Sequence, residues 1–345
     1  MITSTSHQAA WRYPVLIADI GGTNARFALL VDAHAALPEA VVVTTEQYAG
    51  LGEALSDAVL ARTSLRPRTA IIAMAGPITG DRIHLTNAPW IIEPRALIEA
   101  LGLETVILLN DFEAQALALP GFGEDDLQQI GGGGVVPHAA KVVIGPGTGL
   151  GAGALIHAAD RWIPVPGEGG HVELGPLTDE EYALWPHIER NGTGKNARIG
   201  AEQILSGHGM VRLARACAAL KGVPQPFASP RDIVEAAEKG DPLATQTLEH
   251  FSMALGRIAG DMALIFMALG GVYLAGGIPP RIARALDSGA FRQAFEAKAP
   301  HEAIMADIAT FIVHHPQAAL DGLASFARTP SRFAVDLIDR MWRAA

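Results

Sequence analysis

The segment Ala18-Asp19-Ile20-Gly21-Gly22-Thr23 ends an apolar run on a carboxylate and follows it with two glycines. Glycine amides approach an anion closely because no Cβ intervenes. The Thr23 hydroxyl can donate to a phosphate, whereas Asp19 would repel one unless a divalent cation lay between them. The group therefore reads as a Mg²⁺-phosphate site; a tight hairpin with Asp19 as its turn former is the plainer alternative. A second glycine turn, GPGTGLGAG over Gly145 to Gly153, also follows an apolar run. Inside it, Gly149-x-Gly151-x-x-Ala154 fits the dinucleotide fingerprint in its letters. The residues behind it read as a strand, and that fingerprint needs a helix N-terminus. The phosphate loop GxxxxGK[ST] is absent: Gly192-Thr193-Gly194-Lys195-Asn196 lacks the first glycine and the final hydroxyl, and reads as an ordinary loop.

Four further groups could carry chemistry. Asn110-Asp111 stands directly behind an apolar run, where a carboxylate at the mouth of a sheet suits a general base and Asn-Asp equally suits a helix cap. In PGEGGHVE, Glu168 and His171 flank two glycines and could hydrogen-bond several hydroxyls. A zinc site is disfavoured there by the lack of thiolates. Glu202 sits at a predicted helix start, a place the dipole favours for any carboxylate, or it serves a ligand. In LAGGI, Gly276 and Gly277 end an apolar run and offer a flat backbone on which a purine could lie. A close strand-to-helix junction needs the same residues.

The elements that must position these groups alternate. Strands are predicted at Val15–Asp19, Ala25–Val31, Val41–Thr45, Thr69–Ala75 and Thr105–Leu109, with helices at Leu51–Thr63, Pro94–Leu101 and Glu113–Leu119. Pro94 near its start and Gly102 beyond its end punctuate the second helix. After Gly131–Gly134, which reads as a loop or a crossing between domains, the pattern restarts: strand Lys141–Ile144, glycine turn, strand Ala152–His157. Helices follow at Thr178–Glu189, Ala201–Leu220, Pro230–Lys239 and Pro242–Leu269, then strand Val272–Ala275, strand Ala309–His314 and helix Pro316–Arg328. Two strand–glycine–strand openings suggest two related α/β halves. The period is too long for a solenoid, and hairpins do not belong to a plain doubly-wound sheet.

Composition bounds the function. A chain of 345 residues predicts about two domains. At 49% apolar and 18% charged it can build a core and is not a disordered chain. With 26 Lys plus Arg against 36 Asp plus Glu, its net charge of −10 argues against nucleic-acid and membrane-surface partners, which need a positive field. Cys217 is the single cysteine, so neither a disulfide framework nor a multi-thiolate zinc site can form within one chain. That fits a cytoplasmic location. The first 13 residues carry no signal-peptide pattern and read as a loose tail. The apolar run from Phe251 to Ile278 is interrupted by Arg257, Asp261 and four glycines, and reads as a buried helix and strand, not a membrane span.

Taken together and in order, DIGGTNAR, AMAGPITGD, LTNAPW, LLNDFEA, GPGTGLGAG, PGEGGHVE, AEQILSGHG and LAGGIPPR resemble the bacterial ATP-dependent glucokinase family, of the sugar kinase, heat-shock ATPase and actin superfamily. The resemblance runs from about Tyr13 to Arg328. It implies an α/β fold of two RNase-H-like (actin-like ATPase) domains with a cleft between them. The small domain would take 14–121 plus 316–345, and the large one 122–315. It implies ATP and Mg²⁺, the phosphates on Ala18, Asp19, Ile20, Gly21, Gly22, Thr23 and on Gly147, Thr148, Gly149. The adenosine would lie beside Gly276 and Gly277, and the Mg²⁺ near Asp19 through water. Glucose would be held by Asn110, Asp111, Glu168, His171 and Glu202, with Asp111 the general base. A homodimer is also implied. Pro146 departs from the family's usual alanine and removes one amide donor. The extension beyond Arg328 is longer than the family leads one to expect. A catalytically silent sugar-binding regulator on the same fold is the competing reading; an NAD-dependent dehydrogenase would rest on the fingerprint at Gly149 alone.

Overall fold

The computed structural model describes residues 11–85, 88–193 and 197–345. The N-terminal residues up to 10, Thr86-Asn87 of the LTNAPW segment, and Gly194-Lys195-Asn196 of the rejected phosphate loop lie outside the described residues. The strands are β1 (Val15–Ile20), β2 (Asn24–Leu30), β3 (Val41–Thr44), β4 (Thr69–Met74), β5 (Ile83–His84), β6 (Ile91–Ile92), β7 (Thr105–Asn110), β8 (Leu127–Gly131), β9 (Lys141–Pro146), β10 (Leu150–Ala158), β11 (Arg161–Gly167), β12 (Val272–Leu274), β13 (Thr310–Val313) and β14 (Met341–Arg343). The helices are α1 (Leu51–Ala58), α2 (Pro94–Leu101), α3 (Asp111–Ala118), α4 (Asp179–Leu184), α5 (Gly207–Lys221), α6 (Pro230–Glu238), α7 (Pro242–Phe266), α8 (Ala283–Leu286), α9 (Ala290–Glu296), α10 (Glu302–Asp307) and α11 (Ala318–Arg328).

The chain divides into two units. The first takes in residues up to Phe122, Leu155–Pro166 and Pro316–Ala345; the second takes in Gly123–Ala154 and Gly167–His315. Leu155–Pro166, which the sequence reading placed in 122–315, thus groups with the first unit. It is tied there by Trp162, which bridges to Phe333 and accepts from Ala334 N at 2.8 Å. The tail is fixed from Trp11 onward: the Trp11 ring meets Phe326 edge-on at 5.5 Å and Tyr13 Oη donates to Ala327 O. Looseness was expected through residue 13; apolar contact with α11 overrides it for residues 11–13.

In the first unit the sheet order is β14-β7-β4-β1-β2-β3. β1, β4 and β7 run parallel, and β2, β3 and β14 pair antiparallel to their neighbours. β4 is buried at every residue, as a central parallel strand must be. The core on one face gathers Leu16, Ile72, Leu108, Leu55, Leu97, Trp90 and Trp342. α2 begins with Pro94, whose missing N–H costs nothing in a first turn, and stops at Gly102 in the left-handed region, φ 66°.

The second sheet has the order β11-β10-β9-β12-β13-β8. β9, β12 and β13 run parallel, and β8 closes the edge antiparallel to β13. The two sheets repeat one plan: three neighbouring strands consecutive in sequence, two further parallel strands, one antiparallel edge strand. The edge strands come from different places, β8 from the start of the second unit and β14 from beyond Arg328. Neither was expected from sequence. Of the two readings of the glycine run 131–134, the loop holds beyond Gly131 and the crossing does not, since the run lies within the second unit. Gly131 ends β8, and Gly132, at φ 82°, lies against the Ile308 carbonyl so closely that a Cβ would overlap it. The helix expected over Ala201–Leu220 is also broken: a 3-10 turn at Ala201–Gln203 precedes α5, whose N-cap Ser206 accepts from Gly209 N at 3.0 Å.

Candidate functional site

In the first unit the parallel register aligns Ile20 with Met74 and Met74 with Asn110. The hairpin behind Asp19 and the Asn110-Asp111 pair therefore leave the same sheet edge, about 10 Å apart across β4. The hairpin closes with Gly21 N donating to Asn24 O at 3.0 Å. Thr45 braces its tip from outside, its N–H on Thr23 O and its hydroxyl on Gly22 O, both at 2.9 Å. Asp19 faces Arg26 across the β1–β2 pair, with Nη1 to Oδ2 at 3.5 Å. Burial pushes the Asp19 carboxyl up, and the Arg26 guanidinium pulls against it. Sequence reasoning missed both Thr45 and Arg26; Arg26 was readable as the antiparallel partner of Asp19 once the hairpin was drawn.

Asn110 caps α3. Its Oδ1 accepts from Phe112 N (2.9 Å) and Glu113 N (3.3 Å), while Glu113 Oε2 accepts from Asn110 N at 3.3 Å. The plainer reading of Asn110 thus holds, and the cap uses only its oxygen, leaving the amide nitrogen outside the cap. Asp111 is the first residue of α3, half-buried, one carboxylate oxygen accepting from Phe112 N at 3.0 Å. Glu113 is fully buried and meets Arg340 with both oxygens, at 2.7 and 3.3 Å. Burial pushes its carboxyl up; Arg340 and the cap oppose that. Behind α3 lies Gly322 of α11, where any Cβ would run into the Ala114 carbonyl.

The second unit gathers its residues around the ends of β9 and β12. The turn closes with Gly147 N on Gly149 O at 2.8 Å, and Gly147 O accepts from Gly207 N at 2.9 Å. Glu202 lies under this turn: its Oε2 accepts from Leu150 N at 2.9 Å and would be met by any Cβ at Gly149. Gly170 packs on the Leu150 carbonyl, and a Cβ on Gly169 would stand 3.0 Å from Ala152 Cβ. Those glycines carry Glu168 and His171, whose Oε2 and Nε2 lie 3.6 Å apart with each side chain more than half exposed. Ala201 N donates to Val172 O at 2.8 Å, joining the Glu202 turn to this loop. Gly276, at φ 83°, seats its α-carbon against Pro146, and Ile278 N reaches Pro146 O at 3.4 Å. The expected residues of this half, from Gly147 to Gly149 with Glu168, His171, Glu202, Gly276 and Gly277, thus converge. β10 begins at Leu150 as a strand, so no helix N-terminus stands behind the Gly149 fingerprint.

Comparison with known proteins agrees with this architecture. The family model for glucokinase matches residues 16–330. A glucokinase of Agrobacterium fabrum is 50% identical over 341 residues, 99% of each chain. One of Rhizobium meliloti is 51% identical over 332 residues, 96% of this chain and 97% of that one. Among solved structures, a glucokinase from an Antarctic psychrotroph superposes with a TM-score of 0.79 at 29% identity, covering 92% of this chain and all of that one. A Balamuthia mandrillaris glucokinase in complex with glucose gives a TM-score of 0.78 at 21% identity, covering 91% and 93%. The fold is the actin-like ATPase fold of the sugar kinases. Within that class, the chain belongs to the glucokinase family. The extension beyond Arg328, longer than the family led one to expect, falls largely within the match to the Agrobacterium fabrum relative, which spans 341 residues and 99% of this chain.

Proposed function

We propose that this enzyme transfers the γ-phosphoryl group of ATP to the 6-hydroxyl of glucose, giving glucose 6-phosphate and ADP. The observation that carries this reading is the placement of Asp111 on the first turn of a capped helix, at the sheet edge where the Asp19 hairpin opens. Asp111 accepts the proton of the 6-hydroxyl as its oxygen forms the new bond to the γ-phosphorus, and the bond to the ADP oxygen breaks. Transfer of this kind needs positioning, charge neutralisation and a base for the nucleophile. Backbone amides at the two turn tips, Gly22 and Thr23 in one and Thr148 and Gly149 in the other, take the phosphates, framed by Ala18, Ile20, Gly21 and Gly147, whose own N–H groups hold the strands and turns together. Gly277 leaves room for the adenosine, since a Cβ there would meet nothing within 4 Å, and Gly276 beside it packs on the Pro146 carbonyl.

Asn110, Asp111, Glu168, His171 and Glu202 bind the sugar hydroxyls. Each polar group left unpaired by a wrong epimer costs about 1–3 kcal/mol. The residues fit a Mg²⁺ ion bound chiefly through phosphate and water. Asp19 supplies one carboxylate with Arg26 balancing its charge, and among the described residues no three His, Cys, Asp or Glu gather as a cation cage. When bound, Mg²⁺ neutralises phosphate charge.

ADP release coupled to a hexose panel, with ATP, ADP and polyphosphate as donors, tests the reading. Glucose- and ATP-dependent turnover is expected. Glucose binding without turnover would establish the sugar-binding regulator instead. A homodimer in the cytoplasm belongs to the same proposal; sedimentation at one protomer mass would remove the first part. Among the described residues no helix is long and apolar enough to cross a membrane.

A further inference from the structure

The chain beyond Arg328 contributes none of the phosphate or sugar segments, but it reaches the catalytic helix from behind. β14 lies on β7, with Met341 opposite Ile107 and Trp342 opposite Val106. One residue before β14, the Arg340 carbonyl accepts from Leu108 N at 3.0 Å. That bond sets the Arg340 guanidinium beside the end of β7, where it takes both oxygens of Glu113, at 2.7 and 3.3 Å. The guanidinium also donates to the Asp336 carbonyl. Glu113 in turn accepts from Asn110 N at 3.3 Å. A continuous path of hydrogen bonds thus runs from the C-terminal segment to the backbone of the residue preceding Asp111.

We propose that Arg340 is a positioning residue for phosphoryl transfer: by clamping Glu113 it fixes the first turn of α3, and with it the Asn110 amide and the Asp111 carboxylate. The inference rests on the assignment of Asp111 as base. A capping-box glutamate on an exposed helix needs no partner, because water serves its second oxygen. Glu113 has no exposed surface, so its second oxygen and its charge must be met inside the protein. A planar guanidinium with two parallel bonds meets both and also fixes direction, which a lysine ammonium does not. The clamp is anchored independently of Glu113 by the β7–β14 pairing, whereas Trp342 Nε1 on Asp81 Oδ1 at 2.6 Å ties down β14 without bonding to Arg340 or to α3. Displacing a reacting group by about 1 Å costs on the order of 10²-fold in rate. The start of α3 is therefore a place where a remote contact controls turnover.

The test compares Arg340→Met, Arg340→Lys, the double variant Glu113→Gln/Arg340→Met, Trp342→Phe and Asp111→Asn. Steady-state kinetics are measured well below each variant's melting temperature. The double variant removes the stranded buried charge and keeps the glutamine oxygen for Asn110 N, so it folds if Arg340→Met does not. Positioning predicts that the double variant loses at least about tenfold in kcat, with glucose KM raised and ATP KM within about twofold of wild type. Arg340→Lys recovers part of kcat, and Trp342→Phe melts earlier with kcat unchanged. Wild-type kcat in the folded double variant, or an equal loss in Trp342→Phe, overturns the proposal and leaves Arg340 a stabilising contact. Asp111→Asn separates the two levels. Should it keep turnover while the double variant loses it, the base is misassigned and the clamp serves another group on α3.

Discussion

Asp111→Asn tests the chemical step, because it keeps the size of the side chain and its bond to Phe112 N while removing the proton acceptor. The carboxylate holds Phe112 N with one oxygen at 3.0 Å, and the asparagine carbonyl can take the same bond. Asn110 and Glu113 retain their capping box. The folded state loses one negative charge at a helix N-terminus, worth about 0.3–1 kcal/mol. For a unit of this size that lowers the melting temperature by at most about 4 °C. The transition state loses its proton acceptor, and general-base catalysis contributes typically 10²- to 10⁴-fold. A fall in kcat of at least about 10²-fold, or roughly 2.7 kcal/mol of barrier, is expected. ATP KM stays near wild type, because no phosphate-binding amide moves. A coupled assay for ADP over a range of glucose and ATP concentrations reads both constants, and calorimetry reads the fold. Near-normal kcat in a variant that melts normally would refute Asp111 as the base. A loss of kcat accompanied by a melting shift well beyond 4 °C would point to a broken helix start instead.

Three further outcomes follow from single contacts. Gly322→Ala drives a Cβ into the Ala114 carbonyl; overpacking of this kind costs about 1–3 kcal/mol or more, so melting temperature falls and kcat falls with it as α3 is pushed. An unchanged melting curve would mean the two helices are not pressed together there. Glu168→Gln and Glu202→Gln each raise glucose KM by roughly tenfold or more, the scale of a hydrogen bond to a charged group, with ATP KM steady; glutamine at 202 still accepts from Leu150 N. An unmoved glucose KM would remove either residue from the sugar site. Lys141 Nζ donates to Gly270 O and Tyr273 Oη, and burial lowers its pKa to about 8. The unfolded chain keeps that proton to an ordinary value near 10.5. Above pH 8 the unfolded state thus binds more protons, and stability rises with pH. Relative to Lys141→Met, wild type gains about 2 kcal/mol between pH 7.5 and 9.5; parallel urea-denaturation profiles would refute this.

Much of the candidate site was legible because its chemistry is local. A glycine pair behind a carboxylate, an Asn-Asp after an apolar run, and a Glu and His flanking two glycines are short-range patterns. Their residue types are demanded by backbone geometry and hydrogen bonding, so Asp19–Thr23, Asn110-Asp111 and Glu168–His171 could be named directly. The central strands were legible for the same reason, being continuous apolar runs between turn residues. Of the edge strands, β3 was legible, and β8, β11 and β14 were not. β8 reads Leu-Gln-Gln-Ile-Gly and β11 carries two prolines, so both look like loops until a neighbour offers hydrogen bonds.

What the sequence determined by itself was the class of chemistry and the two hairpins that begin each half. What only the tertiary structure decided was who stands behind them: Arg26 against Asp19, Glu202 beneath Gly149, and Arg340 on Glu113. The last pair is 227 residues apart. No local pattern can announce such a partner, because the energy that selects it, burial of a charge that must then be neutralised, exists only once the chain has closed around it.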